Sequence, residues 1–235
     1  MTCLRESSDR LAVEHLPLGR APYGRTWRLQ ERLHALRVAG SIPDTVLTVE
    51  HDPVFTVGRS GSRRNLLVSD AVLERAGIPV FEVERGGDIT YHGPGQLVVY
   101  PIVDLRRRGS SVHAYVRGLE EAVIGFLDDF GVAAQRRTGY PGVWIASRKI
   151  ASIGVYVRRW VTRHGVALNL DVDRSHFAMI RPCGLDVDIV SLSDFVADPP
   201  GVDEAAIGVL GRLAEVFDWQ LTVADPAGGW RAIDA

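Results

Sequence analysis

Of the 27 basic side chains in this sequence, 26 are arginine and one, Lys149, is lysine. Arginine stays protonated in proteins, whereas lysine gives up its proton when its surroundings demand it. A chain that uses arginine wherever it needs a fixed cation has kept one residue able to hold and release a proton. Lys149 is therefore a candidate for proton transfer; the plain alternative is an arginine-biased composition with one lysine left by chance. Cys183 is the second candidate, in Ile180-Arg181-Pro182-Cys183-Gly184-Leu185-Asp186. Pro182 fixes the backbone and Gly184 opens it, so the sulfur can be presented in a defined direction. Against this, most lone cysteines are buried structural thiols. A free thiol with a pKa near 8.5 is only a few per cent thiolate at neutral pH. An ammonium about 4 Å away, at an effective dielectric of ~20, favours the thiolate by at most about 4 kcal/mol. That lowers the thiol pKa by up to roughly 3, and burial of both charges works against it. Lys149 alone would suffice. His51, His92, His164 and His176 are competing activators, as in a cysteine–histidine thiol hydrolase, and spacing does not choose among them.

The stretch Arg85 to Ile102, RGGDITYHGPGQLVVYPI, is the third candidate. Gly86, Gly87, Gly93 and Gly95 suggest close backbone approach, for which phosphate is the usual reason. The phosphate-loop pattern GxxxxGK[ST] is absent, since the sole lysine is elsewhere, and so is a GxGxxG dinucleotide turn. The loop instead combines Arg85, Asp88, Thr90, Tyr91 and His92 with bare backbone, fit to line a pocket whose ligand lies against glycine. A tight turn between strands is the alternative. No HxH or HExxH metal pattern occurs and no CxxC pair, so no metal site is expected. His15, His34 and His113 read as ordinary surface or helix positions. The basic runs Arg106-Arg107-Arg108, Arg136-Arg137 and Arg158-Arg159 read as solvated surface or as a docking face for an acidic partner.

These residues need a scaffold. GRTWRLQERLHALRVAG reads as a helix, with Leu29, Leu33 and Leu36 on one face and Gly40 after its end. TVLTVE and PVFTVG read as strands around a turn at His51-Asp52-Pro53, and PVFEVE as another leading into the glycine loop. QLVVYPIVDL is nearly all apolar, as a strand buried on both faces should be. Ser111 can cap a helix with the stripe Val112, Val116, Leu119, Val123, Phe126 and Phe130, closed by Gly131. GVWIAS, KIASIGVYVRR and RHGVALNLDVD follow as strands, the first two joined by a hairpin at SRK. A last helix after Asp203 puts Ile207, Leu210, Ala214 and Phe217 on the core side. SLSDFVADPPGV is a linker before it, and DPAGGWRAIDA a loose tail. This order predicts an α+β fold with a mixed, largely antiparallel sheet flanked by helices.

The 235 residues fit one domain, 1–235. With 24% charged residues, 46% hydrophobic residues and a formal net charge of −2, nothing argues for nucleic acid. The longest apolar run, LVVYPIV, is far short of the ~20 residues of a membrane helix. The leader MTCLRESSDR is polar, carries Cys3, and has no apolar signal region; with two cysteines and no disulfide pattern the expected compartment is the cytoplasm.

Taken jointly and in order, VEHDPVFTVGR, RGGDITYHGPGQLVVYPI, KIASIG, HGVALNLDVD and FAMIRPCGL resemble the lipoyl(octanoyl) transferases, also called octanoyl-acyl-carrier-protein:protein octanoyltransferases or the lipoate-protein ligase B family. The likeness runs from about Thr45 to Ser193 and the key positions show no departure. It implies a fold similar to the catalytic domain of biotin and lipoate ligases. It also implies transfer of an octanoyl group from acyl carrier protein to a lysine of lipoyl domains, in 2-oxo-acid dehydrogenase E2 subunits and the glycine cleavage H protein. This is the first step of endogenous lipoate synthesis. The resemblance implies no ATP and no cofactor, and a monomer is expected. Its nucleophilic cysteine falls on Cys183 and its catalytic lysine on Lys149. Its acyl pocket falls on Arg85, Gly86, Gly87, Asp88, Ile89, Thr90, Tyr91 and His92, on Ser152, Ile153 and Gly154, and on Gly165, Val166 and Ala167. Oxyanion donors near Gly184 or in the glycine loop are open. An ATP-dependent lipoate or biotin ligase of the same fold, or a non-catalytic acyl-binding protein, are the alternatives.

Overall fold

Two sheets of unequal size carry the chain in a computed structural model that describes residues 10–181 and 187–224. The larger has eight strands: β1 (Leu11–Ala21), β2 (Asp44–His51), β6 (Gln96–Ile102), β7 (Gln135–Arg137), β8 (Tyr140–Ile145), β9 (Arg148–Arg158), β10 (Val161–Asn169) and β11 (Trp219–Val223). Their order is β11-β1-β2-β6-β10-β9-β8-β7. β1 runs parallel to both its neighbours and every other ladder in this sheet is antiparallel. The smaller sheet has the order β4-β3-β5, with β3 (Val54–Val57), β4 (Val80–Glu82) and β5 (Ile89–His92). The helices are α1 (Tyr23–Val38), α2 (Asp70–Ala76), α3 (Val112–Asp128) and α4 (Val202–Phe217). This is the mixed α+β fold the sequence predicts.

β6 shows why. All seven of its residues are buried. Leu97 and Val99 pack with Leu119, Val123 and Phe126 of α3 and Leu210 and Leu213 of α4. Their alternates Val98, Tyr100 and Ile102 pack with Leu29 and Leu33 of α1. Successive side chains of a strand point to opposite faces, so a strand covered on both sides must be apolar throughout. α3 starts as expected, with the Ser111 hydroxyl accepting from the Ala114 amide at 3.1 Å. The SRK break is the β8–β9 hairpin.

Two features went unread and two readings need correction. Leu11–Ala21, given no element from sequence, is a full strand; Pro17 and Gly19 and a register shift between Pro17 and Arg20 obscure its alternation. The expected strands on either side of His51-Asp52-Pro53 are present, and that segment carries the chain from β2 in one sheet to β3 in the other. The stretch after Arg85 is not loop throughout, because Ile89–His92 forms β5 against β3. Finally, Ile207 is 73% exposed. α4 meets the core through Ala205, Ala206, Val209, Leu210 and Leu213. Small residues make up part of that contact face: a Cβ on Gly208 would stand 2.7 Å from the Phe126 ring. A periodicity read from large side chains alone misses such a close approach. Cys3 and the tail after Ala224 lie outside the described residues.

Candidate active site

β9 and β10 bring the separate motifs together. Their antiparallel register sets Ser152 opposite Ala167, Ile153 opposite Val166 and Gly154 opposite Gly165. These six residues line one cavity of about 410 Å³. Arg85 to Thr90 and His92 line it too, as does Lys149. Tyr91 does not: its ring turns away to pack on Phe55 and Phe177 and stacks on His176 at 4.9 Å. Lys149 and Val155 are six residues apart on β9, roughly 20 Å at the rise of a strand. Both line the cavity, which therefore runs lengthwise along β9 with Lys149 at one end. The walls between include Val98, Val166, Ile153, Phe177 and Ile189, so the slot is apolar with polar groups at intervals.

The glycine stretch is stitched down on both sides. The amides of Gly58, Arg59 and Ser60 donate to the carbonyls of Asp88, Arg85 and Gly87 at 3.0–3.2 Å, and the Gly86 amide donates to Val155 at 2.8 Å. The Arg85 guanidinium is buried and donates to the Thr56 hydroxyl and carbonyl and to the Gly86 carbonyl. Asp88 accepts from the Ser62 amide at 3.2 Å and the Asn65 side chain at 2.5 Å. Most of the glycines make room for the protein itself. A Cβ on Gly95 would stand 2.0 Å from the Asp171 carbonyl oxygen, one on Gly165 2.2 Å from that of Val99, and one on Gly154 2.8 Å from that of Gly86. Gly86 differs: its Cβ would meet only the Val155 carbonyl oxygen, at an ordinary 3.5 Å.

Lys149 is held by its backbone. Its amide donates to Asp188 at 2.8 Å and its carbonyl accepts from Val190 at 3.0 Å. Its Nζ lies 5.2 Å from the centre of the Trp144 ring. Cys183 lies outside the described residues; on either side of it, Phe177, Val187 and Ile189 line the cavity.

A family model, the lipoyl protein ligase A/B catalytic domain, matches residues 22–213. The chain belongs to this family. It is 47% identical over 204 residues to an octanoyltransferase of Solibacter usitatus, covering 87% of this chain and 92% of that one. It is 48% identical over 208 residues to an octanoyltransferase of Syntrophobacter fumaroxidans, covering 87% and 91%. Among solved structures it resembles a lipoate-protein ligase A bound with ATP, at a TM-score of 0.74 and 14% identity, covering 96% and 92% of the two chains. The biotin protein ligase of Aquifex aeolicus with biotin and ATP superimposes at 0.54 with 12% identity, covering 87% and 70%. At such identities these structures share the fold.

In this lipoyl protein ligase A/B domain the competing histidines separate cleanly. His51 Nδ1 must donate to the Ala21 carbonyl at 2.9 Å, leaving Nε2 to accept from the Tyr100 hydroxyl at 2.9 Å. Burial lowers its pKa to about 4. His92 donates from Nδ1 to the Gln96 side-chain oxygen Oε1 at 2.7 Å and is neutral, its pKa pushed well below the ordinary value by burial and then by His51. His164 is lowered to about 3 by burial and by Arg85 and Arg163. Its backbone is left-handed, with φ of 56°. His92 and His164 line the cavity; His51 and His176 do not. Three neutral imidazoles thus lie in the core beside or near the far end from Lys149.

The basic runs do not form one face. Leu105 donates to the Trp160 carbonyl at 2.9 Å, which brings Arg106 and Arg107 beside Arg158 and Arg159, at the end of β9 away from Lys149. Arg106 pairs with Asp104 at 2.6 Å and Arg107 with Asp44 at 3.1 Å. Arg136 pairs with Glu120 and Glu121, and Arg137 lies over the Tyr140 and Trp144 rings at the Lys149 end. Glu120, Gly142, Trp144 and Tyr100 escaped the sequence reading. The signal for one of them was available, since Glu120 interrupts the apolar face of α3 without belonging to its polar side. Among the described residues, no group of three histidine, cysteine or acidic side chains could hold a metal, and no helix is long and apolar enough to cross a membrane.

Proposed function

We propose that this chain transfers an octanoyl group from acyl carrier protein to a lysine of lipoyl domains through an acyl-Cys183 thioester. The observation that carries the reading is one apolar cavity gathering Lys149, Arg85 to Thr90 with His92, and the facing triplets 152–154 and 165–167. The relatives named octanoyltransferase support it, at 47% and 48% identity over most of both chains. In this reading Lys149 favours the Cys183 thiolate, which attacks the carrier thioester. The carrier thiolate leaves and takes up a proton, and octanoyl-Cys183 remains. The amine of the acceptor lysine then attacks this thioester, the C–S bond breaks, and the amine's proton passes through Lys149. Thioester to thioester is nearly isoenergetic and thioester to amide is downhill, so no nucleotide is required. The octanoyl chain lies in the slot along β9. The acceptors are lipoyl domains of 2-oxo-acid dehydrogenase E2 subunits and of the glycine cleavage H protein. The enzyme acts in the cytoplasm as a monomer of one catalytic domain, 1–235.

The test is transfer to apo lipoyl domain with ATP omitted, with intact-mass detection of the enzyme. An octanoyl adduct that hydroxylamine removes is expected, absent in Cys183→Ala. Lys149→Arg keeps a cation without the proton shuttle and should lose turnover. An ATP requirement would favour a ligase, water-driven release a hydrolase, and binding without transfer a carrier; an equal adduct on Cys183→Ala would sink the covalent route.

A further inference from the structure

Glu120 is a buried carboxylate on the apolar face of α3, 3% exposed. Its Oε1 accepts from the Gly142 amide at 3.1 Å, across to β8. Its Oε2 faces Arg136 Nε at 3.2 Å and Arg117 Nη1 at 3.4 Å, which balance the charge. A buried carboxylate is costly unless paired and hydrogen-bonded, so its place calls for a reason beyond packing.

Gly142 supplies one. It has φ of 132°, and a Cβ there would stand 2.6 Å from Lys149 Cε and 3.3 Å from Nζ. The lysine stem therefore lies directly against the bare α-carbon of Gly142. Beside it the β8–β9 register slips: Val143 pairs with Ala151, but Trp144 pairs with Lys149, leaving Ile150 as the extra residue. Such a bulge re-aims the side chain next to it. The backbone that receives Lys149 is thus irregular, and a ladder alone does not hold it.

We propose that Glu120 is a positioning residue for Lys149: by fixing the Gly142 backbone it fixes the seat of the lysine stem and so the place of the ammonium. The consequence for turnover rests on the proposed role of Lys149, whereas the placement itself does not. A misplacement of about 1 Å can cost on the order of 100-fold in rate.

The single lysine makes the test clean. Reductive methylation with ¹³C-formaldehyde labels only Lys149 and the chain's amino terminus, giving one dimethyl-lysine NMR signal. Glu120→Gln keeps an acceptor for the Gly142 amide; Glu120→Asp keeps the charge but falls a methylene short. The Gln variant should keep the wild-type signal and, unmethylated, lose less than about threefold in kcat. The Asp variant should shift the signal towards that of an exposed lysine and lose roughly 10- to 100-fold in kcat with KM little changed. An unmoved signal in the Asp variant, or a Gln variant displaced as far as Asp, overturns the proposal. A signal that moves in Asp while kcat holds would support the positioning and refute the catalytic role of Lys149.

Discussion

Gly86→Ala adds a single methyl at a place where the protein has room for it. Gly86 has no positive φ, and the new Cβ would meet only the Val155 carbonyl oxygen at 3.5 Å, an ordinary contact. The substitution should not lower stability, and loss of glycine's freedom in the unfolded chain favours the fold by about 0.4–1 kcal/mol. Gly86 nevertheless lines the cavity. If an octanoyl chain fills that slot against it, the extra methyl overpacks the complex by roughly 1–3 kcal/mol. That is about 5- to 150-fold in kcat/KM for the octanoyl donor. A butanoyl donor, too short to reach along the slot, should be much less affected. The assay is transfer from carrier-bound octanoyl and butanoyl groups, with thermal unfolding in parallel. An unchanged octanoyl kcat/KM in a folded Gly86→Ala protein would refute the placement of the chain; equal losses for both donors would point to damage elsewhere.

Gly165→Ala should behave in the opposite way, losing roughly 1–3 kcal/mol of stability, because its Cβ would lie 2.2 Å from the Val99 carbonyl oxygen and 2.9 Å from Pro101; a lower urea midpoint checks this. The fold should also weaken in mild acid. His51 has its pKa lowered from 6.5 to about 4, so the folded state holds it neutral. Its contribution is complete above pH 6.5 and is lost as pH falls towards 4, amounting to about 2 kcal/mol at pH 5. His164, lowered to about 3, adds in the same direction. Unfolding midpoints that stay constant from pH 7 to 5 would contradict this.

How much was legible in the sequence differs by element. QLVVYPIVDL had to be a doubly buried strand because it offers no polar face, and β6 is one. The Ser111 cap and the hairpin at SRK were legible because their signals are local. β1 was not, since a Pro, a Gly and a register shift break its alternation, and it finds its place only between β2 and β11. The contact face of α4 depends on Ala and Gly packed against α3, a choice the partner helix makes.

The sequence by itself singled out Lys149 through composition, since one lysine among arginines is a chemical statement that needs no coordinates. It also excluded a phosphate loop, because those motifs are fixed spacings along the chain. The tertiary structure decided what the glycines do. Of the four in RGGDITYHGPGQ, Gly95 serves a close approach to Asp171, whereas Gly86 has room for a methyl at ordinary contact distance. It decided that Tyr91 faces the core, and that His51, His92 and His164 are neutral. It also set Glu120 and Gly142 beneath Lys149. Each of these depends on what lies across from a residue in space. A β-register or a helix packed on a sheet sets that neighbour at sequence separations no local pattern encodes.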